Sequence, residues 1–145
     1  MQTSITNGGT MEFTARDQTF PHFQKLAGFG VNPSMFICPD DKKRRVAGSF
    51  AQLADTNLSY FINTDVKSNS TSIMTGDRHL KANGQPVGHG MFTALTNMDL
   101  SWTTELHRGI GILGFADGHA QISRATNLNT FFQNQGSAAA RLSVP

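Results

Sequence analysis

The sequence predicts an α+β fold in which short helices pack on an antiparallel β-sheet. Its composition suits strands and turns, with 15 Thr, 11 Ser, 10 Asn and 14 Gly among 145 residues. Long exposed helices are usually rich in Glu, Lys and Ala, and this chain has only two Glu. Apolar residues follow a period of two or of 3.6 only over short stretches, and one Asp-Gly pair is typical of a hairpin turn.

One domain over residues 1–145 is the expected organisation, because this length gives one core comfortably but not two. Twelve Lys and Arg oppose ten Asp and Glu, and a net charge of +2 is far from the basic stripe of a nucleic-acid binder. Apolar runs are much shorter than the roughly 20 residues of a membrane span, so the chain as given is expected to be soluble. A single cysteine, Cys38, excludes an internal disulfide and a zinc site built from cysteines.

A short amphipathic helix is predicted near the N-terminus. Phe20 and Phe23 recur at helical spacing, Asp17 is in place to cap the first turn, and Gly28 ends the pattern. Residues 1–12 before this helix show little periodicity. They predict a loose lead-in or a short edge strand.

Short strands and turns are predicted along the middle of the chain. Residues 34–39 form an apolar run closed by a proline, which favours a buried strand or the end of one. Residues 57–63 alternate apolar and polar side chains, which is typical of a strand, and residues 71–75 predict a second one. Residues 84–90 contain three glycines and a proline and are assigned to a loop. Further strands are expected within 91–104, and helical segments over 49–54 and 126–133.

The strongest local signal is a β-hairpin centred on Asp117 and Gly118. Asp-Gly between two strand-like runs favours a two-residue turn in which both residues have positive φ. The run before it, residues 109–116, has large apolar residues on both faces, so we expect it to be the buried centre of the sheet. These residues are Ile110, Ile112, Leu113 and Phe115.

No catalytic constellation is evident. His107 and Asp117 are ten positions apart, which on one straight strand separates their backbones by about 33 Å. No nucleophile motif such as G-x-S-x-G is present. We therefore assign Asp117 to a turn and His107 to a strand end, and predict that the protein is not an enzyme. Cys38 is predicted to be a small buried apolar residue and not a nucleophile.

No metal ligand is predicted either, and calcium is the alternative left open. The H-E-x-x-H zinc pattern is absent and the histidines are isolated from one another. Calcium needs clustered oxygens, yet the D-x-[DN]-x-[DN]-G loop is missing, so turn formation accounts for the aspartates and no cofactor is expected. The aspartates in expected loops or turns are Asp40, Asp41, Asp65, Asp77, Asp99 and Asp117.

Several separated stretches together resemble one group of bacterial proteins. Between His107 and Gly118 the chain has a His, nine residues and Asp-Gly, the H-X9-DG pattern. Other blocks follow the order that the group shows. They are residues 22–24, 36–41, 49–50, 57–61, 76–78 and 141–145. With them, the chain resembles the prepilin-type H-X9-DG pseudopilin-like proteins of type II secretion and type IV pilin-like systems over nearly its whole length.

The resemblance implies a structural subunit, the pilin-like head domain of a periplasmic pseudopilus or related filament. Such proteins begin with a leader and a long apolar helix that anchors the subunit in the inner membrane; neither is in this sequence, so Met1 is expected to open a trimmed head. The expected partners are other pseudopilin subunits and secretion-system components, with no nucleic acid. The full-length protein is expected in the periplasm or at the cell surface. Major pseudopilins hold calcium in a head loop, which is the main ground for the calcium alternative.

Two other classes of function stay open. One is a secreted or surface module that binds a glycan or a partner protein through residues 84–90. The other is a hydrolase, which would need a concave pocket and a residue of strongly perturbed pKa. An apolar run of about 20 residues upstream of this sequence would favour the pseudopilin.

Overall fold

The computed structural model describes residues 3–67 and 69–145, and these residues form two antiparallel sheets, two α-helices and several single turns of 3-10 helix. The α+β class predicted from the sequence is confirmed. The helices are α1 (Phe20–Gln24) and α2 (Ala125–Gln133). The strands are β1 (Tyr60–Asn63), β2 (Ile73–Asp77), β3 (Leu80–Ala82), β4 (Gln85–Pro86), β5 (Gly90–Leu95), β6 (Leu100–Trp102), β7 (Ile110–Phe115), β8 (Ala120–Arg124) and β9 (Ala139–Val144). The 3-10 turns are Ile5–Asn7, Met11–Phe13, Pro33–Phe36, Phe50–Gln52 and Asp55–Asn57.

The main sheet has six strands in the order β5-β9-β1-β2-β7-β8, and a smaller sheet has the order β4-β3-β6. Every pair of neighbouring strands is antiparallel. The last strand in the chain, β9, lies between β5 and β1 and pairs with both. The middle of the main sheet therefore joins segments that are far apart in the sequence.

Two hydrophobic cores flank the main sheet at β1. Phe61 and Ile62 are adjacent on this strand, so their side chains point to opposite faces. Phe61 belongs to the larger core, which packs β2, β7 and β9 against α2 and the small sheet, and Ile62 belongs to the second core, which is formed with the N-terminal half. Fully buried members of the larger core include Ile73, Leu113, Leu128 and Leu142. The other buried members of the second core are Phe23, Phe36, Ala47, Leu53 and Leu58.

The N-terminal helix α1 forms where the sequence predicts it, but Asp17 does not cap it. The N-cap position is Thr19, and the Asp55 carboxylate accepts the N–H groups of Thr19 and Phe20 at 2.8 and 2.7 Å. Asp17 is instead directed at strand β5, where Gly90 lies against its side chain. The cap thus comes from a residue distant in the chain, which no local pattern reveals. Met1 and Gln2, the start of the predicted lead-in, lie outside the described residues.

The strand predicted over residues 34–39 is wrong. Asn32 accepts the Ser34 N–H at 2.9 Å and Pro33 follows it, which starts a 3-10 turn over Pro33–Phe36. The predicted burial of Cys38 is confirmed, with an exposed fraction of 4%. Residues 34–39 are therefore apolar because part of this segment packs against the main sheet, and not because the segment is a strand of it.

The loop assigned to residues 84–90 contains a tight hairpin. Strands β3 and β4 pair at Ala82 and Gln85, so only Asn83 and Gly84 connect them. Both have positive φ, at 51° and 79°, as a type I′ turn requires. Asn-Gly is a strong signal for such a turn, and here the structure corrects the assignment to loop.

The hairpin at Asp117 and Gly118 is confirmed, but its turn is longer than predicted. The Gly118 N–H donates to the Phe115 carbonyl at 3.0 Å, and the Phe115 N–H donates to the His119 carbonyl at 2.9 Å. Three residues, 116–118, therefore lie between the hydrogen-bonded pair Phe115 and His119. Of these only Gly118 has positive φ, at 91°, so the positive φ predicted for Asp117 is wrong. Asp117 accepts the His119 N–H at 3.1 Å. This arrangement fits a type I turn followed by a bulge with glycine in the left-handed position.

Strand β7 is second from the edge of the sheet and not its centre. Leu113 and Phe115 face the larger core, whereas Ile112 on the opposite face is 44% exposed. Its partner across the strands, Ile122, is 64% exposed. The predicted burial of β7 on both faces is therefore wrong. On the face of the main sheet opposite the larger core, the second core covers Ile62 of β1 but does not extend to Ile112 and Ile122.

Replacing Gly118 by Val is expected to lower the thermal unfolding midpoint by several degrees. A side chain at this left-handed position costs about 1–2 kcal/mol, and each kcal/mol shifts the midpoint of a domain of this size by roughly 2–8 °C. Differential scanning calorimetry measures the shift. Gly88→Val is the control, because nothing lies within 4 Å of that position and its φ is not in the left-handed region. Equal midpoints for the two variants would contradict the role of Gly118.

His22 predicts a loss of stability in acid. It is 4% exposed, and burial lowers its pKa to about 4, below the 6.5 expected in the unfolded chain. The folded state thus favours the neutral ring. Its contribution to the free energy of unfolding is complete above about pH 6.5. It is lost as the pH falls toward 4, because the unfolded chain binds a proton on this ring before the folded chain does. Urea unfolding of wild type and His22→Phe from pH 7.5 to 4.5 tests this. The difference in free energy of unfolding between them is expected to shift against wild type as the pH falls; a constant difference would refute it.

No helix within residues 3–67 and 69–145 is long and apolar enough to cross a membrane.

Candidate functional site

His107 lies in the loop between β6 and β7, in a backbone conformation that is costly for it. Its φ is +47°, and Arg108 and Gly109 follow at +56° and +83°. A left-handed conformation costs roughly 1–2 kcal/mol for a residue with a side chain, and non-glycine residues of this kind concentrate at functional sites. The Ile110 N–H donates to the His107 carbonyl at 3.3 Å, which closes the turn just before β7 begins.

The His107 ring meets three side chains from other parts of the chain. Nδ1 lies 2.9 Å from Asp40 Oδ2, and Nε2 lies 3.1 Å from Cys38 Sγ and 4.0 Å from Asp77 Oδ2. Cys38 and Asp40 follow the 3-10 turn Pro33–Phe36, and Asp77 ends β2. Within the described part of the chain, Cys38, Asp77 and His107 form the one group of three or more Cys, His or acidic side chains whose ligand atoms converge, all lying within 4.8 Å of one another.

Burial disfavours charge on the two acidic groups of this cluster. Asp77 is 1% exposed, and burial raises its pKa even though its Oδ2 accepts the Ile112 N–H at 2.8 Å. Burial also raises the pKa of the Cys38 thiol. A thiol of raised pKa in an apolar environment is a poor nucleophile near neutral pH.

An ion pair between Asp41 and Arg78 adjoins this cluster, since these residues follow Asp40 and Asp77 in the chain. Arg78 binds Asp41 through Nε at 2.8 Å and through Nη2 at 3.1 Å, and the Ser59 hydroxyl donates to the same carboxylate at 3.0 Å. The Asp41 side chain is 1% exposed. Burial alone would raise the pKa of Asp41, but the Arg78 and Ser59 contacts outweigh it and the pKa is lowered. Asp41 is therefore a charged residue inside the protein, held by the residue that precedes β1 and the residue that follows β2.

Asp117 and Gly118 lie at the opposite end of β7 from His107, so the structure does not bring the H-X9-DG residues together. Asp117 pairs with the His119 ring, which stacks on Phe115 with 4.3 Å between ring centroids. Asp117 acts in its turn, as the sequence predicts. The sequence does not predict that His107 lies beside Cys38, Asp40 and Asp77, although these three residues belong to the blocks at 36–41 and 76–78.

The aspartates considered for calcium are distributed over separate partners. They do not form an oxygen-rich cluster among the described residues. Two of them, Asp40 and Asp77, contact the same side chain, the ring of His107. The other pairs are Asp41 with Arg78, Asp65 with Arg141, Asp99 with Asn129 and Asp117 with His119.

A groove of about 330 Å³ lies beside the segment considered for ligand binding, residues 84–90. It is lined there by Pro86, Val87 and His89, and on the other side by the basic residues Lys43 and Arg44. The described residues that line it include no Phe, Tyr or Trp for stacking on a sugar ring. Its lining gives no specific support to a glycan site.

Comparison of the chain with protein-family models, with curated proteins and with solved structures finds no match in any of the three. Support for a function therefore comes from the fold, from the contacts around His107 and Asp41, and from the ordered blocks of the sequence.

Arg108→Gly is expected to stabilise the protein by about 0.5–1 kcal/mol. Glycine relieves the left-handed conformation of Arg108, and this gain exceeds the entropy that glycine adds to the unfolded chain. Arg108 is exposed, so little packing is lost. Urea unfolding measures the change, with Arg45→Gly as the control at an exposed position whose φ is not positive. The control is expected to lose stability, and a loss of the same size in Arg108→Gly would rule out strain at this turn.

Proposed function

We propose that this chain is the globular head of a structural subunit in a pilin-like filament, of the pseudopilin class associated with type II secretion. The observation that supports this most is that the blocks of the family resemblance contact one another in the fold. The block at 36–41 supplies Asp41, the block at 57–61 supplies Ser59, and the block at 76–78 supplies Arg78, and these three side chains form the buried ion pair.

Three phenylalanines of the sequence blocks, Phe23, Phe36 and Phe50, pack together in the second core. Phe23 and Phe36 pack with 5.0 Å between ring centroids, and Phe36 and Phe50 with 5.8 Å. Gln24 donates to the Phe50 carbonyl at 3.1 Å. The blocks at 22–24 and 49–50 thus pack against the block at 36–41. A pattern of residues that build one packed layer is what a family of structural heads needs to share.

The H-X9-DG segment completes this layer. His107 contacts Cys38 and Asp40 of the block at 36–41, and the Ile112 N–H donates to Asp77 of the block at 76–78. In this proposal His107, Asp117 and Gly118 fold and orient the head and carry out no chemistry. The partners are other subunits of the filament and the secretion machinery, and an apolar helix upstream of the head anchors the subunit in the inner membrane.

The native protein in its own organism tests this proposal. An antibody raised against the chain is used to follow the protein through fractionation and to purify it for N-terminal sequencing. We expect it in the inner-membrane fraction, with a mature N-terminus that opens an apolar segment of about 20 residues upstream of the head. Loss of prepilin peptidase activity is expected to leave a longer, unprocessed form.

The control is the same chain exported with a cleavable signal peptide alone, which is expected to leave the cell with the periplasmic contents on osmotic shock. Sheared cell-surface filaments from cells that overproduce the native protein are expected to bind the antibody along their length in electron micrographs. A native protein that fractionates like the control, without an upstream apolar segment, would refute the pseudopilin assignment.

A further inference from the structure

We propose that Cys38, Asp77 and His107 bind a divalent transition-metal ion of the zinc type through one sulfur, one oxygen and one nitrogen atom. This site goes beyond the filament role and does not depend on it. The three residues belong to separate segments of the chain, which explains why no ligand spacing is visible in the sequence.

The separations of the donor atoms are close to those of a tetrahedral site. Zinc bonds of 2.0–2.3 Å at tetrahedral angles place neighbouring ligand atoms about 3.4–3.6 Å apart. The Cys38 Sγ to His107 Nε2 distance is 3.1 Å, and the His107 Nε2 to Asp77 Oδ2 distance is 4.0 Å, so the two values lie on either side of this range. The ligand atoms of all three residues lie within 4.8 Å of one another, so small side-chain movements bring them to a common ion.

Asp40 orients the imidazole for this role. Its Oδ2 lies 2.9 Å from His107 Nδ1, so the proton of a neutral ring is held on Nδ1 and the lone pair of Nε2 faces Cys38 and Asp77. A carboxylate on the second ring nitrogen is the usual partner of a metal-bound histidine. The left-handed turn at His107 and Arg108 holds the ring in this position.

Asp77 gives an independent indication of a ligand. Its Oδ1 atom is buried and has no hydrogen-bond partner among the described residues, while its Oδ2 is held by the Ile112 N–H at 2.8 Å. A buried carboxylate oxygen without a partner is rare in folded proteins because it loses its contacts with water and gains none. The Asp77 carboxylate is therefore incompletely satisfied within the described residues, and a cation bound at Oδ2 would offset its buried charge.

The charge of the cluster fits a divalent cation. A Cys38 thiolate and an Asp77 carboxylate carry two negative charges, and the neutral His107 ring adds none. Arg78, which follows Asp77 in the chain, is already paired with Asp41 through two hydrogen bonds. A dication would therefore make the buried group of ligands neutral, which is the state that low polarity favours.

The donor set selects the class of metal. Thiolate and imidazole favour zinc and related transition ions, whereas calcium prefers six to eight oxygen ligands. Three protein ligands leave a fourth position for water or another small ligand. The bound ion would join the N-terminal half, the end of β2 and the loop before β7, so its role is to crosslink the head.

Metal binding by the purified chain tests the site. Chelator-treated protein is titrated with Co²⁺, which substitutes for zinc and reports thiolate coordination by its absorption, and then with Zn²⁺. We expect about one Co²⁺ per chain with a thiolate-to-metal band that Zn²⁺ abolishes, as for a three-ligand site with one cysteine. Zn²⁺ is expected to raise the unfolding midpoint of the chelated protein by several degrees, whereas Ca²⁺ is expected to leave it unchanged.

Variants assign the ligands. Cys38→Ser is expected to lose the thiolate band, and Asp77→Asn and His107→Gln are expected to weaken Co²⁺ binding at least tenfold. His119→Gln is the matched control, since this exposed histidine also pairs with an aspartate but lies in the β7–β8 turn, and it is expected to bind Co²⁺ as wild type does. Wild-type protein that binds no stoichiometric Co²⁺, or binds it without a thiolate band, would overturn the proposal even if a variant failed to fold. A band retained in folded Cys38→Ser would do the same.

Discussion

Replacing Arg78 by Ala is expected to destabilise the protein by about 3–5 kcal/mol, because it leaves the Asp41 carboxylate buried without its cation. The Asp41 side chain is 1% exposed and that of Arg78 is 13% exposed, so the pair is largely shielded from water. Urea unfolding followed by circular dichroism measures the loss. The control is Lys43→Ala, which removes an ion pair with Glu105 whose side chains are 70% and 51% exposed. That change is expected to cost at most about 1 kcal/mol.

A double variant separates the two parts of this effect. Asp41→Asn together with Arg78→Met removes both charges, and replacing a buried pair as a whole is much less harmful than breaking it. We expect the double variant to be more stable than Arg78→Ala. If Arg78→Ala lost no more stability than Lys43→Ala, the buried pair would not be holding the layer formed by the sequence blocks.

Gly111→Ala is expected to destabilise the protein by about 2–3 kcal/mol through overpacking. A Cβ atom at this position would lie 2.5–2.6 Å from ring atoms of Trp102, which is far inside van der Waals contact. The ring is rigid and 4% exposed, and its Nε1 donates to the Ser123 hydroxyl at 3.3 Å. Neither the strand nor the indole can move away without disturbing the core. Thermal and urea unfolding measure the loss.

The same clash predicts an interaction between the two positions. Trp102→Leu alone leaves a cavity and is destabilising, but it makes room for a methyl group at Gly111. In a double-mutant cycle the two changes are therefore expected to cost less together than the sum of their separate effects. Gly88→Ala, at a position with nothing within 4 Å, is expected to be neutral or slightly stabilising. Additive losses would contradict the close approach of Gly111 to the ring.

The sequence was informative where a structure depends on neighbouring residues. The composition predicted the α+β class, and the Asp-Gly pair predicted the β7–β8 hairpin with Gly118 at positive φ. Asn83 and Gly84 also form such a turn, but the glycines and the proline that follow them favour a loop over the whole of residues 84–90. Residues 34–39 show the limit of such patterns, because a short apolar run does not distinguish pairing in a sheet from packing beneath one.

Features that depend on distant residues were not predictable from local patterns. The position of β7 in the sheet is decided by the insertion of β9 between β5 and β1, which has no counterpart in local periodicity. The site at His107 is a similar case, because Cys38 and Asp77 reach it from other segments. The prediction that Cys38 is buried was correct, but burial alone does not reveal which polar atoms a thiol faces.

The place of β9 has a consequence for the order in which the main sheet forms. Residues 139–144 pair with Gly90 to Leu95 on one side and with Ile62 and Asn63 on the other. Before β9 is in place, β5 has no partner in the main sheet and β1 pairs with β2 alone. Long-range pairing of this kind is slow compared with local folding. Local hairpins such as β7–β8 therefore form first, and the two halves of the sheet join when β9 inserts between β1 and β5.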